Sequence, residues 1–104
     1  MSSYRLTPRA DADLDRIVQD GIHEKGERQC KVYFDAIVAC FGRLGEFPGL
    51  GTACDDIRTG YRRFPVGVHH IYYRADNDGI VIVRIRPQIM HPLKNMLDEG
   101  SVGP

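Results

Sequence analysis

The fold is decided by one stretch in the second half of the chain, HHIYYRADNDGIVIVRIR (residues 69–86). Its two ends are rich in β-branched and aromatic residues, and the Asp78-Gly79 pair between them tolerates the positive φ angles of a tight turn. The stretch therefore predicts a hairpin with strands at 69–75 and 80–86. Strict alternation along the second strand predicts that its two faces carry Val81, Val83 and Ile85 on one side and Ile80, Ile82, Arg84 and Arg86 on the other.

Two helices are predicted upstream of this hairpin. Thr7 can cap the first helix and Pro8 suits its first position, and apolar residues at three- and four-residue spacings continue over residues 8–25. Gly26 breaks the pattern, and a second helix follows over residues 27–47. The second helix carries an apolar arc of roughly 200°, which is wide for a helix lying on one sheet. Either it touches both the sheet and the first helix, or part of it receives a partner peptide.

The remaining elements are short strands at 4–6 and 61–66 and a short helix within 91–97. The predicted fold class is α+β, with an N-terminal short strand and a helical hairpin packed on a small antiparallel sheet. The element order is β-α-α-β-β-β with a short C-terminal helix. Residues 1–97 are expected to form a single domain and residues 98–104 a flexible C-terminal tail.

Composition narrows the function classes. The chain has 104 residues, of which 42% are hydrophobic and 27% charged, as in an ordinary globular domain. No apolar run is long enough to span a membrane, and the start lacks the apolar core of a signal peptide, so a cytoplasmic location is expected. The three cysteines have no zinc-type spacing, and no phosphate loop or dinucleotide fingerprint is present. We therefore expect neither a metal nor a cofactor.

The charges are unevenly distributed along the chain. Residues 1–56 carry seven Lys/Arg and ten Asp/Glu, whereas residues 57–104 carry seven Lys/Arg and four Asp/Glu. Four arginines of the second half are predicted to converge at one end of the sheet, namely Arg62, Arg74, Arg84 and Arg86. Clustered guanidinium groups suit carboxylate or phosphate. They could bind RNA phosphates, an acidic partner segment or acidic residues of the same chain. A structural role is the alternative, in which Arg84 or Arg62 bridges to Asp55, Asp56 or a C-terminal carbonyl.

Several blocks of sequence resemble ParE-type toxins of bacterial toxin–antitoxin modules. They are YRLTPRA (4–10), PGLG (48–51) with DDIRTGYR (55–62), VGVHHIYYR (66–74) and VRIR (83–86), in this order over residues 4–97. The resemblance implies the fold of the wider RelE/ParE superfamily. It also implies a small toxin that poisons DNA gyrase and is held inactive by a ParD-like antitoxin with a ribbon-helix-helix head. Neither a membrane partner nor sequence-specific DNA binding by this chain alone is expected.

The resemblance directs attention to two sets of residues. The target would be bound through Arg62, Arg74, Arg84 and Arg86. The antitoxin tail would lie in an apolar groove beside the helices, for which the candidates are Leu14, Ile17, Val18, Tyr33, Phe34 and Ile37.

Two other functions remain open. RelE-type relatives cut messenger RNA in the ribosome, and such a nuclease would here use Arg62, Arg84, Arg86 and His91. His91 is the only plausible proton carrier near these cations, and the segment 87–97 has no tyrosine. The third alternative is a binding protein whose toxicity has been lost.

Overall fold

The computed structural model describes residues 3–90, 92 and 94–99. It contains two α-helices, α1 (Pro8–Lys25) and α2 (Glu27–Glu46), and two 3₁₀ turns, Pro48–Leu50 and Lys94–Leu97. The strands are β1 (Tyr4–Leu6), β2 (Thr52–Ala53), β3 (Tyr61–Val66), β4 (His69–Asp76) and β5 (Gly79–Pro87). They form one sheet in the order β1-β5-β4-β3-β2. The predicted order of elements is confirmed, with two differences. The short strand β2 is an additional element, and β1 pairs in parallel with β5, so the sheet is mixed rather than antiparallel.

The start of α1 is fixed to the sheet by its capping residue. Thr7 Oγ1 accepts a hydrogen bond from Ala10 N at 3.1 Å and donates one to the Val83 carbonyl at 2.9 Å. The hydroxyl therefore satisfies one free helix N–H and one strand carbonyl at once. At the other end of α1, Gly26 adopts a φ of 88°, which separates the two helices.

The sheet separates two hydrophobic clusters. On one face, which we call the helix side, α1 and α2 pack against the sheet. The core there includes Ile37, Phe41 and Leu44 of α2 and the strand residues Ile71, Tyr73, Ile80, Ile82 and Ile85. On the other, which we call the open face, a smaller cluster joins Cys54, Tyr61, Tyr72, Val81 and Val83 to Met96 and Leu97 of the C-terminal 3₁₀ turn. The wide apolar arc of α2 is thus explained largely by burial against both the sheet and α1.

A register shift in the central hairpin changes the faces predicted for β5. Tyr72 pairs with Arg84 but the next residue, Tyr73, pairs with Ile82, so Val83 is an extra residue on β5. Such a bulge shifts the alternation of side chains by one position. The face prediction is therefore wrong beyond the bulge: Ile85 joins the helix side, while Arg84 lies opposite Tyr72 on the open face.

Neither helix of the described chain is long and apolar enough to cross a membrane.

Candidate functional site

The four predicted arginines do not converge. Arg62 pairs with Tyr73, a helix-side residue, whereas Arg74 pairs with Tyr61 on the open face. Arg86 lies opposite His70, at the other end of β4 from Arg74. The prediction of one cluster is wrong because even-numbered positions do not share a face once the register between strands and the bulge are taken into account.

Arg62 and Arg84 are both held by contacts within the chain. Arg62 Nη1 donates to the Gly51 carbonyl at 2.7 Å. Arg84 forms a two-bond ion pair with Asp13, at 2.6 and 2.9 Å, and both side chains are only 10% exposed. Asp13 also accepts from Ile85 N, and Arg84 donates to the Met96 carbonyl. This is the structural alternative for Arg84, with Asp13 in place of Asp55 or Asp56, and it leaves Arg84 inside the scaffold.

Arg74 is neutralised by the C-terminal segment. Its Nε and Nη2 donate to the two oxygens of Glu99 at 2.6 and 2.7 Å, and the Tyr61 hydroxyl donates to the same carboxylate. The guanidinium holds the pKa of Glu99 below its ordinary value. Asp98 and Glu99 belong to the segment predicted as a flexible tail, so no sequence pattern indicated this ion pair. The rest of that segment, residues 100–104, lies outside the described residues.

Arg86 is the most accessible of the two arginines at the end of β5. Its side chain is 22% exposed, and Nη1 lies 3.7 Å from Asp13. Its buried Nε has no hydrogen-bond partner among the residues that the structure describes. His91, the proton carrier of the nuclease alternative, lies outside the described residues.

The six residues predicted to contact an antitoxin divide into two groups. Leu14 and Ile37 are buried in the helix-side core. The other four, Ile17, Val18, Tyr33 and Phe34, are only partly buried. Val18 and Phe34 line an apolar depression of about 380 Å³ together with Ile22.

Tyr33 lines a second and larger depression, which we call the hairpin groove. It has a volume of about 510 Å³ and lies between the end of α1, the first half of α2 and the β3–β4 turn. Its lining includes Val32 and Val68, which are 67% and 70% exposed. Neither valine was among the residues predicted to contact the antitoxin, because Val32 lies outside the apolar arc of α2 and Val68 is in a two-residue turn. Cys30 lines both depressions, so they adjoin one another.

A hydrogen-bond hub fixes the wall of the hairpin groove. The Tyr33 hydroxyl donates to the Val66 carbonyl at 2.9 Å and accepts from Val68 N at 3.1 Å. His69 Nδ1 lies 2.7 Å from the same oxygen. Since a hydroxyl has one proton, this arrangement makes Nδ1 the donor and leaves His69 Nε2 as an acceptor. Gly67 has a φ of 55°, and a side chain there would run into the Tyr33 ring.

The groove wall also carries a titratable group. Burial and the nearby charge of Arg86 lower the pKa of His69 below its ordinary value. The ring of His69 is therefore neutral near pH 7. A neutral imidazole whose Nε2 can accept a hydrogen bond suits a hydroxyl or amide donor on a bound peptide.

Comparisons with known proteins agree with one another. A family model described as "ParE toxin of type II toxin-antitoxin system, parDE" matches residues 4–92. Toxin ParE1 of Mycobacterium tuberculosis is 33% identical over 96 residues, covering 91% of this chain and 98% of that protein. Toxin ParE1 of Caulobacter vibrioides is 35% identical over 91 residues, covering 88% and 94%.

A solved structure shares the fold. It is titled "Chromosomal ParDE TA system from P. aeruginosa" and superposes with a TM-score of 0.72 at 24% identity, covering 84% of this chain and 96% of that chain. The family match, the two relatives and the observed fold lead to one assignment. The chain belongs to the ParE toxin family of type II toxin–antitoxin systems.

Proposed function

We propose that this ParE-type toxin inhibits DNA gyrase in the cytoplasm and is neutralised by a ParD-like antitoxin whose tail binds the hairpin groove. The observation that carries the antitoxin part is the groove itself. Val32 and Val68 face solvent on either side of it, although both sit on well-defined elements, α2 and the β3–β4 turn. Contiguous exposed apolar surface of this kind is typical of an interaction site.

The groove is suited to an extended or helical peptide tail. Its lining is mostly apolar, and the adjoining depression at Val18, Ile22 and Phe34 continues it around α2. Burying apolar surface contributes about 25 cal/mol per Å², before the cost of ordering the tail is subtracted. The Tyr33 hub fixes the β3–β4 turn before the tail binds, so the toxin loses less conformational entropy on binding.

Charge favours basic residues in the antitoxin tail. The two depressions are lined by Lys25 and Lys31 and by the exposed acidic side chains of Glu24 and Glu27. Residues 1–56 as a whole carry seven Lys/Arg and ten Asp/Glu. Lysine or arginine residues of a bound tail would meet these carboxylates in solvent, where such charges mainly guide the partners together and set the register.

The gyrase part is supported by family membership and by the resemblance described above. The test is a supercoiling assay with purified gyrase and purified toxin, followed by addition of the antitoxin encoded beside it. We expect the toxin to stop supercoiling and the antitoxin to restore it in a stoichiometric manner. Cleavage of ribosome-bound mRNA, with gyrase unaffected, would show that the RelE-type activity is the correct one.

A further inference from the structure

The C-terminal segment 94–99, which we call the strap, packs on the open face. Its 3₁₀ turn places Met96 and Leu97 in the open-face cluster, where they are 8% and 0% exposed. These two side chains anchor the strap by burial. Beyond the anchor, Asp98 and Glu99 turn their carboxylates toward cations of the same chain.

The strap is held by burial at Met96 and Leu97, and by ion pairs at Asp98 and Glu99. Arg58 Nη1 lies 2.7 Å from Asp98, with both side chains about half exposed, and the Arg58 guanidinium also lies over the Tyr61 ring at 5.9 Å. Arg74 binds Glu99 with side chains that are 28% and 25% exposed. The half-exposed Arg58–Asp98 pair is weak, and water also reaches the Arg74–Glu99 pair, whereas the Leu97 side chain is fully buried and not easily removed. The acidic end can therefore leave the surface while the anchor stays.

We propose that Asp98 and Glu99 form a displaceable acidic clip on a carboxylate-binding surface made by Arg58, Tyr61 and Arg74, and that an acidic segment of the toxin's protein target takes their place. The identification of that target as gyrase rests on the proposed function, but the carboxylate-binding surface does not. In this arrangement the strap weakens target binding by competing with it within the chain.

The contacts already made on this surface are those of a bound carboxylate. Arg74 presents Nε and Nη2 side by side to the two oxygens of Glu99, which is the planar arrangement that matches a carboxylate. The Tyr61 hydroxyl donates to Oε2, the oxygen that already accepts from Arg74 Nε. A side chain of glutamate or aspartate from another protein can reproduce all of these contacts.

The test uses the full-length toxin and an oligoglutamate peptide as the probe. Affinities are measured by fluorescence anisotropy for the wild type, for Asp98→Asn/Glu99→Gln, for Arg74→Ala, and for Asp35→Asn as a control. Asp35 makes an exposed ion pair with Lys31 on α2, far from the strap in sequence and on the other side of the sheet. We expect the double variant to bind about tenfold more tightly, which is about 1.4 kcal/mol, Arg74→Ala to lose binding, and the control to match the wild type.

Gyrase inhibition by the same variants gives the second readout. We expect the double variant to inhibit at lower concentration than the wild type, and a variant ending at Leu97, which keeps the anchor, to behave in the same way. If the wild type fails to inhibit gyrase, the proposed function fails while the peptide arm still decides on the clip. Three results would overturn the proposal: unchanged peptide affinity in folded variants, tighter binding of single-stranded DNA than of oligoglutamate, or a lower melting temperature with no gain in binding.

Discussion

The helix side and the open face differ in the groups that they expose to solvent. On the open face, Arg58, Arg74 and Arg84 each have a carboxylate of the same chain as partner. At the helix hairpin, Val32 and Val68 are more than two-thirds exposed. These three cations of the open face are thus paired within the chain, whereas the hairpin groove leaves apolar surface in contact with water. This difference is the basis for our proposal that the antitoxin binds on the helix side, at the hairpin groove, whereas the open face carries contacts within the chain.

The two bidentate arginine–carboxylate pairs differ in how far water reaches them. Arg84 and Asp13 are both 10% exposed and join α1 to β5, whereas Arg74 and Glu99 are more than twice as accessible and join β4 to the strap. Burial makes the first pair part of the scaffold, since a buried charge cannot lose its partner without a large cost. Because water reaches the second pair, it is the one that we propose to be exchangeable.

The largest expected effect follows from replacing Arg84. Arg84→Ala leaves the Asp13 carboxylate buried without its partner, and we expect a loss of about 3–5 kcal/mol in the free energy of unfolding. Urea denaturation measures it. Because Asp13 and Arg84 act as a unit, Asp13→Ala/Arg84→Ala should cost clearly less than the sum of the single variants.

Arg86→Ala is the matched control for this substitution. Arg86 lies farther from Asp13 and has a buried Nε that finds no partner within the described part of the chain. We expect it to cost about 1 kcal/mol or less. Equal losses for the two arginines would show that the scaffold role is not specific to Arg84.

The second effect concerns the hub that shapes the hairpin groove. Tyr33→Phe removes the hydroxyl that holds the Val66 carbonyl, Val68 N and the His69 ring. We expect a loss of about 1–3 kcal/mol in stability, since partly buried polar groups lose their partner, together with weaker antitoxin binding. Tyr4→Phe, at an exposed tyrosine, is the control and should be nearly neutral. A stable Tyr33→Phe variant with normal antitoxin affinity would remove the hub from the account.

The third effect is a dependence of stability on pH. Burial lowers the pKa of both His69 and His70 below the ordinary value of 6.5. Between the lowered values and 6.5 the unfolded chain binds more protons than the native one, so stability falls as the pH drops through this range. The urea midpoint should be lower at pH 5.5 than at pH 7.5.

Single variants separate the contributions of His69 and His70, which lie on opposite faces of the sheet. The Tyr33 hub holds His69 at the groove, whereas His70 packs edge-on against Tyr72 on the open face. His69→Gln and His70→Gln should each flatten part of the pH dependence, and the double variant most of it. A midpoint that stays constant or rises on acidification of the wild type would contradict this explanation.

The smallest effect is expected at the exposed pair of α2. Lys31 and Asp35 are 2.9 Å apart, but their side chains are 75% and 58% exposed. Asp35→Asn should therefore change the free energy of unfolding by only about 0.3–0.5 kcal/mol. A loss above about 1 kcal/mol, measured by the same urea titration, would show that exposure is a poor guide to the strength of ion pairs in this chain.

The order of elements follows from local signals in the sequence, and the site only in part. Thr7-Pro8, Gly26 and Asp78-Gly79 mark ends and turns through their own backbone preferences, and each lies where it was predicted. The bulge at Tyr72 and Tyr73 has no such local signal, because it arises from the pairing of two strands. It reversed the predicted faces of Arg84 and Ile85.

Long-range contacts explain the other differences. The partner of Arg84, Asp13, lies 71 residues away, and the partner of Arg74 lies in a stretch with no periodic pattern. The antitoxin candidates were sought among apolar residues at helical spacing, and such a pattern does not separate the buried Ile37 from the rim residue Phe34. Only packing against the sheet makes that distinction.

The most direct test of the central claim is to measure antitoxin affinity and gyrase inhibition together for one variant on each face. Val32→Asp places a charge in the hairpin groove at an exposed position, and Arg74→Ala removes a cation from the open face. We expect Val32→Asp to lose antitoxin binding and still to inhibit gyrase. We expect Arg74→Ala to bind the antitoxin normally and to inhibit gyrase poorly. If either folded variant loses both functions, or if the two effects are reversed, the antitoxin and gyrase do not bind separate faces of this protein.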